Sequence, residues 1–221
     1  MSTSTLRLSL AWLATLLVPI VLVLASVRIL MTSAFLKFEY NLPGFPPDPY
    51  GFSKAERLYW SQIALDYLLN PEGISFLGDL RFQDGSPVYN DRELGHMVDV
   101  KNVARGALRV WYAALASLAV LGVWARWGGW WTDYLTGLQR GGRLTIGLMG
   151  VIIVVVLVGF GFFFVGFHQV FFQPGTWMFL FSDTLIRLFP ERFWQVAFIS
   201  IGVLSLAMAL GMAFLIRRPV P

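Results

Sequence analysis

A helix that crosses the hydrocarbon core of a bilayer needs roughly 20 mostly apolar residues. This chain contains four such tracts, at about 8–30, 107–125, 144–167 and 193–216. Inside lipid every backbone N–H and C=O must be bonded within the segment, so each tract is expected to be helical. The charge content agrees, since only 14% of the 221 residues are charged, against about 25% in a soluble domain. The predicted class is therefore an all-α membrane protein: a four-transmembrane-helix bundle forming a single integral membrane domain over 1–221. The first tract is too long for a signal-peptide core of about 7–15 residues, and no A-x-A site follows it, so it reads as a span with Pro19 as a kink point. Cysteine is absent, which removes disulfides, thiolate nucleophiles and thiolate metal ligands from consideration.

Lysine and arginine in short loops set orientation. Arg7, Arg126, Arg140, Arg143, Arg217 and Arg218 fall on one side, with Asp133 as the only acid. The short loop on the other side balances Arg187 and Arg192 against Asp183 and Glu191. Both termini are thus expected in the cytoplasm. The segment at about 31–106 and a second loop at about 168–192 are expected outside. Trp124, Trp127, Trp130 and Trp131 would line the cytoplasmic interface, and Trp177 and Trp194 the outer one, as an aromatic belt does. The glycines of the third span, Gly147, Gly150, Gly159, Gly161 and Gly166, are expected to permit close helix packing.

The long outer segment should be partly helical. Its Tyr40–Gly51 stretch is rich in proline, which fixes φ and removes donors, so it reads as an ordered turn region. Ser53-Lys-Ala-Glu56 has the capping-box pattern that opens a helix. Leu58, Tyr59, Ile63, Tyr67 and Leu68 then give an apolar stripe at helical spacing, which ends at Asn70-Pro71. That stripe would rest on the membrane surface or on the bundle. Phe76–Tyr89 is expected to form a short hairpin about Asp84-Gly85. Asn90-Asp-Arg-Glu93 opens another helix that runs into the second span, with Arg92, His96, Asp99 and Val103 on one face.

The chain has two histidines. His96 precedes the second span and His168 ends the third, so hydropathy alone puts both at the outer interface. Histidine suits acid–base work near neutral pH. A carboxylate such as Asp99 or Asp183 would orient one imidazole. Two other readings compete: ordinary interfacial residues bonded to backbone or headgroups, and a zinc site from His96, His168, Asp99 and Asp183. No tight ligand spacing favours the metal, and no cofactor is expected.

The pattern His96-Met-x-Asp99-Val-Lys101, then Phe167-His168-x-x-Phe171-Phe172, then Trp177-x-Phe, then Leu-Phe-Pro-Glu191-x-Phe-Trp194, resembles the bacterial lipoprotein intramolecular transacylases. These belong to a wider family of uncharacterised four-span membrane proteins. The resemblance covers nearly the whole chain. It departs in the last outer loop, where Gln173-Pro-Gly-Thr176 and Ser182-Asp183 replace an Asn-Asp pair and a Thr-Asp-Pro stretch, marking a divergent branch.

The resemblance implies that an acyl chain moves from the sn-2 ester of a diacylglyceryl-modified lipoprotein to the α-amino group of its N-terminal cysteine. The partners would be that lipoprotein and membrane lipids, in the bacterial cytoplasmic membrane, with no nucleic acid. The acceptor amine is itself the nucleophile, so the lack of cysteine is no obstacle. A neutral histidine can take the amine proton. The oxyanion at the ester needs a donor, for which the second histidine, Lys101 or Arg187 is a candidate. His168 is the expected base, and His96, oriented by Asp99, would polarise the ester or shuttle the proton; the reverse assignment is equally open in the sequence. Asp183, Arg187, Lys101 and Tyr40 are candidate supporting or headgroup contacts, or else an ion-pair network that ties the loops together. An acyl hydrolase and a non-catalytic scaffold or receptor are the competing functions. A transporter is disfavoured, because the spans hold almost no ionisable residues.

Overall fold

In the computed structural model, residues 3–216 are described. Arg217 and Arg218 lie outside them. The elements are α1 (Thr3–Leu30), α2 (Ser33–Asn41), α3 (Lys54–Leu69), α4 (Ser75–Gly78), α5 (Asp91–Trp127), α6 (Trp131–Phe171), α7 (Thr184–Leu188) and α8 (Glu191–Leu210), the last followed by a π turn over Gly211–Leu215. Helices α1, α5, α6 and the α8 stretch are long and apolar enough to cross a membrane, which makes this a multi-pass membrane protein. Each extends past its hydrophobic tract. α5 begins at Asp91, so the short polar helix expected before the second span is continuous with that span.

The chain divides into two compact units. One comprises Met1–Arg28, Ala107–Leu157 and Ile199–Pro221. Its core sets Ala14, Val18 and Leu22 of α1 with Ala114, Leu118 and Leu121 of α5, Tyr134 and Leu135 of α6, and Ala209 of α8. A Cβ at Gly137 would strike the Ala11 carbonyl, and one at Gly142 would lie 2.8 Å from the Ala209 oxygen. Small residues at such points let backbones approach and gain dispersion contact, the main attraction between helices in lipid.

The glycines that matter therefore lie five to ten residues before the first of those expected. A Cβ at Gly147, Gly150, Gly161 or Gly166 would meet nothing within 4 Å, because the packed face of this part of α6 passes through Thr145, Met149, Val156, Phe160 and His168. Polar side chains in the unit bond across helices: Thr15 Oγ1 donates to Gly137 O at 3.1 Å and Ser26 meets Ser205 at 2.9 Å. Trp130, expected in the interfacial belt, is core at 4% exposure, whereas Trp127 is 85% exposed. The Gly128-Gly129 turn, with Gly129 at φ +69°, reverses the chain and carries Trp130 inward.

The second unit comprises Ile29–Gly106 and Val158–Phe198. Thr32 caps α2, a helix the sequence patterns leave unannounced. Ser53 and Glu56 form both halves of the capping box that opens α3. Most of the α3 stripe is packed: Tyr67 is buried with Leu77, Val88 and Leu188, Ile63 and Leu68 pack against that cluster, and Leu58 packs against the one that holds Leu36 and Phe193. Tyr59 alone of the five is largely exposed.

The expected hairpin is reduced to a single antiparallel bridge, Arg81 to Pro87, around a turn at Gly85 (φ +83°). Its first arm is taken up by α4. The turn itself is well specified, since Asp84 Oδ1 accepts from Ser86 N and Oγ. At the head of α5, Asn90 and Glu93 cap each other reciprocally. The second Glu93 oxygen accepts from Leu185 N at 2.6 Å, and Thr184 Oγ1 donates to Val88 O at 2.6 Å, which fastens α7 against this corner.

Candidate active site

The second unit brings the two histidines together. His96, one turn into α5, and His168, near the end of α6, have ring centroids 6.2 Å apart and planes inclined by only 19°. Both are 8% exposed. Their surroundings are aromatic. Phe164 (4.1 Å) and Trp177 (4.8 Å) flank His168; Phe179 (5.3 Å) flanks His96; Phe172 lies against both. The loop after α6 supplies three of these rings, Phe172, Trp177 and Phe179. Pro174 and Gly175, the latter at φ +87°, turn the chain sharply after α6, so that Trp177 and Phe179 return toward the imidazoles.

The hydrogen bonds define the reactive atoms. His168 Nδ1 lies 2.8 Å from Phe164 O. A carbonyl oxygen can only accept, so Nδ1 carries the proton and the lone pair sits on Nε2. His96 Nδ1 is buried with no partner, as is Trp177 Nε1. A buried polar atom without a partner costs about 1–3 kcal/mol. Both atoms belong to rings that pack in the histidine pocket.

The remaining sequence candidates lie in other networks. Asp99 makes no hydrogen bond or ion pair with His96 among the described residues, and His96 Nδ1 has no partner at all. The expectation that Asp99 orients His96 is corrected: helical spacing puts both on one side of α5, but the imidazole is buried among Phe172, Phe179 and His168, where a carboxylate would lose its hydration.

Asp183 pairs with Arg92 at 2.6 Å, accepts from Asn90 Nδ2 and closes the Leu180 turn. Arg92 in turn covers the Phe179 ring, so Asp183 bears on the site through Phe179. Lys101 Nζ donates to Glu72 O (2.6 Å) and Asn70 Oδ1 and sits over Tyr67. Arg187 makes a two-point pair with Asp48 and lies over Phe52. Tyr40 bonds Ser61 and donates to Leu188 O. These three tie the loops of the second unit together and have no contact with either imidazole. Among the described residues no group of three or more His, Cys, Asp and Glu side chains is placed to hold a metal.

Sequence reasoning passes over Trp177 as a donor and Glu39 altogether. Glu39 is wholly buried in α2, with neither carboxylate oxygen bonded. Burial pushes it up to about 7, opposed by the charge of Arg192. The one signal available was an acid between Phe38 and Tyr40 in a chain with few acids.

Residues 12–194 match the family model described as lipoprotein intramolecular transacylase Lit. The chain is 29% identical over 180 residues to an uncharacterised protein of Aquifex aeolicus, covering 81% of this chain and 80% of that one. Its fold is similar to the solved lipoprotein intramolecular transacylase Lit from Bacillus cereus, at 21% identity and a TM-score of 0.81 over 96% of this chain and 95% of that one. A variant of the same Bacillus cereus protein with a histidine replaced by alanine gives 0.74 at the same identity, over 96% of this chain and 92% of that one. Four spans, a matched fold and a family match across the helices that hold both histidines agree, and the chain belongs to the lipoprotein intramolecular transacylase family.

Proposed function

We propose that this protein moves the sn-2 acyl chain of a diacylglyceryl lipoprotein to the amino group of its N-terminal cysteine, with His96 and His168 as the catalytic pair. The carrying observation is that the chain's two histidines, separated by more than 70 residues, meet in one aromatic pocket with ring centroids 6.2 Å apart. The proposed setting is the outer face of a bacterial cytoplasmic membrane with both termini inside, on the strength of the arginine distribution.

In this mechanism His168 Nε2, whose lone pair is free because Nδ1–H is engaged by Phe164 O, takes a proton from the α-ammonium group. The amine attacks the ester carbonyl; a C–N bond forms and the carbonyl becomes an oxyanion. Collapse breaks the C–O bond; the sn-2 oxygen leaves with the proton held by His168, passed directly or relayed by His96, and the imidazole so freed takes the second proton of the attacking nitrogen and releases it to solvent. Lys101 and Arg187, the cations first considered for the oxyanion, are engaged elsewhere. The unpartnered indole N–H of Trp177 takes that role here. Amine and ester belong to one substrate, so holding them in register supplies much of the acceleration.

Replacing His96 or His168 with Asn should lower conversion of diacyl lipoprotein to its N-acylated lyso form by about 10²–10⁴-fold. Mass spectrometry of a reporter lipoprotein in cells lacking other N-acylation measures it. Unchanged conversion in both variants refutes the histidine mechanism.

A further inference from the structure

The second unit has a cavity that the histidine chemistry leaves unused. It measures about 380 Å³ and is lined by Tyr40, Phe45, Asp48, Phe52, Lys54 and Arg57, together with Pro46 and Pro47. Arg57 is 3% exposed. Its Nη1 donates to Pro46 O at 2.7 Å, but its Nε is buried without an acceptor. The guanidinium lies over Phe45 (4.7 Å) and Tyr40 (5.4 Å), held by ring faces and not by a carboxylate.

Buried charges are normally paired, because removing one from water costs several kcal/mol. The nearest acid, Asp48, is already committed to Arg187 through both oxygens and accepts from Phe52 N as well. Among the described residues no ion pair includes Arg57. Lys54, exposed beside the cavity, brings a second positive charge and spends one donor on Asn41 Oδ1. Two cations around one opening, one of them a buried guanidinium outside any ion pair among the described residues, are suited to a phosphate.

We infer that the cavity at Arg57 and Lys54 is a phosphate-binding site. A phosphate there would answer the charges of Arg57 and Lys54, while Phe45 and the prolines offer apolar contact to whatever the phosphate carries. Two sources share this chemistry: an anionic lipid headgroup and free phosphate. The lipid source is favoured by position, since α2, which supplies the Tyr40 and Asn41 wall, starts within three residues of the end of the first span. The site does not depend on the transacylase reading.

The test uses the full chain in nanodiscs. Lipid retained on release is counted by native mass spectrometry with phosphatidylglycerol and with phosphatidylcholine, and thermal stability is followed against inorganic phosphate and against acetate at matched ionic strength. Preferential retention of phosphatidylglycerol identifies the headgroup. Protection by phosphate beyond that of acetate, with no lipid preference, identifies the free ion. Arg57→Gln should weaken either by about tenfold or more, and Lys54→Gln by a few-fold. His96→Asn should bind as the parent does. Should Arg57→Gln not fold, Arg57→Lys and the exposed Lys54→Gln carry the test, the first losing the fork and the second the outer charge. Equal retention of both lipids with no protection beyond acetate overturns the inference, as does unchanged binding in the Arg57 and Lys54 variants.

Discussion

Glu39→Gln should make the protein less sensitive to rising pH. The Glu39 carboxyl has no exposure and neither oxygen has a hydrogen-bond partner, so desolvation favours its neutral form. Its pKa is raised from 4.5 to about 7 even with Arg192 nearby to oppose the shift. Between these values the unfolded chain has released the proton and the folded chain has kept it. Stability therefore falls as pH rises through this window and levels off above it. With about 1.36 kcal/mol for each pH unit between the two titrations, up to about 3 kcal/mol is lost between pH 4.5 and 7. Glutamine has the same shape and never ionises. At pH 5 the variant should match the parent within about 1 kcal/mol. At pH 8 it should be the more stable by up to about 3 kcal/mol, several degrees in Tm. Thermal unfolding in detergent at several pH values from 5 to 8 measures the difference. A difference that stays flat, or that shrinks as pH rises, refutes a neutral buried Glu39.

Two further outcomes follow from the site and its supports. Replacing Trp177 by its benzothiophene analogue keeps the ring against His168 but removes the N–H; conversion should fall by about 10²-fold, as for loss of one oxyanion donor, and parental turnover would exclude the indole as that donor. Asp48→Asn leaves the largely buried Arg187 without its carboxylate; a loss of about 3–5 kcal/mol in unfolding free energy is expected, and a change below about 1 kcal/mol would show that the pair does not hold the loop.

Sequence alone determined the architecture, because lipid leaves a backbone few options. Roughly 20 apolar residues without charge must be a helix, and arginine bias and capping patterns act locally. The capping box at Ser53–Glu56 and the run of α5 from Asp91 into its span were legible for that reason. The two histidines were legible as a pair because both end apolar tracts on the same predicted side.

Only the tertiary structure decided what each polar side chain touches. Periodicity gives a face, not a rotamer, so Asp99 seemed to serve His96 while the ring in fact turns into the aromatic pocket. Lys101, Arg187 and Tyr40 look like site residues in sequence, yet they close loops through partners 21 to 148 positions away, which no local pattern encodes. The same holds for unpartnered atoms. That Trp177, Glu39 and Arg57 each bury a polar atom without a partner is a property of everything packed around them, and it appears only when the chain is folded.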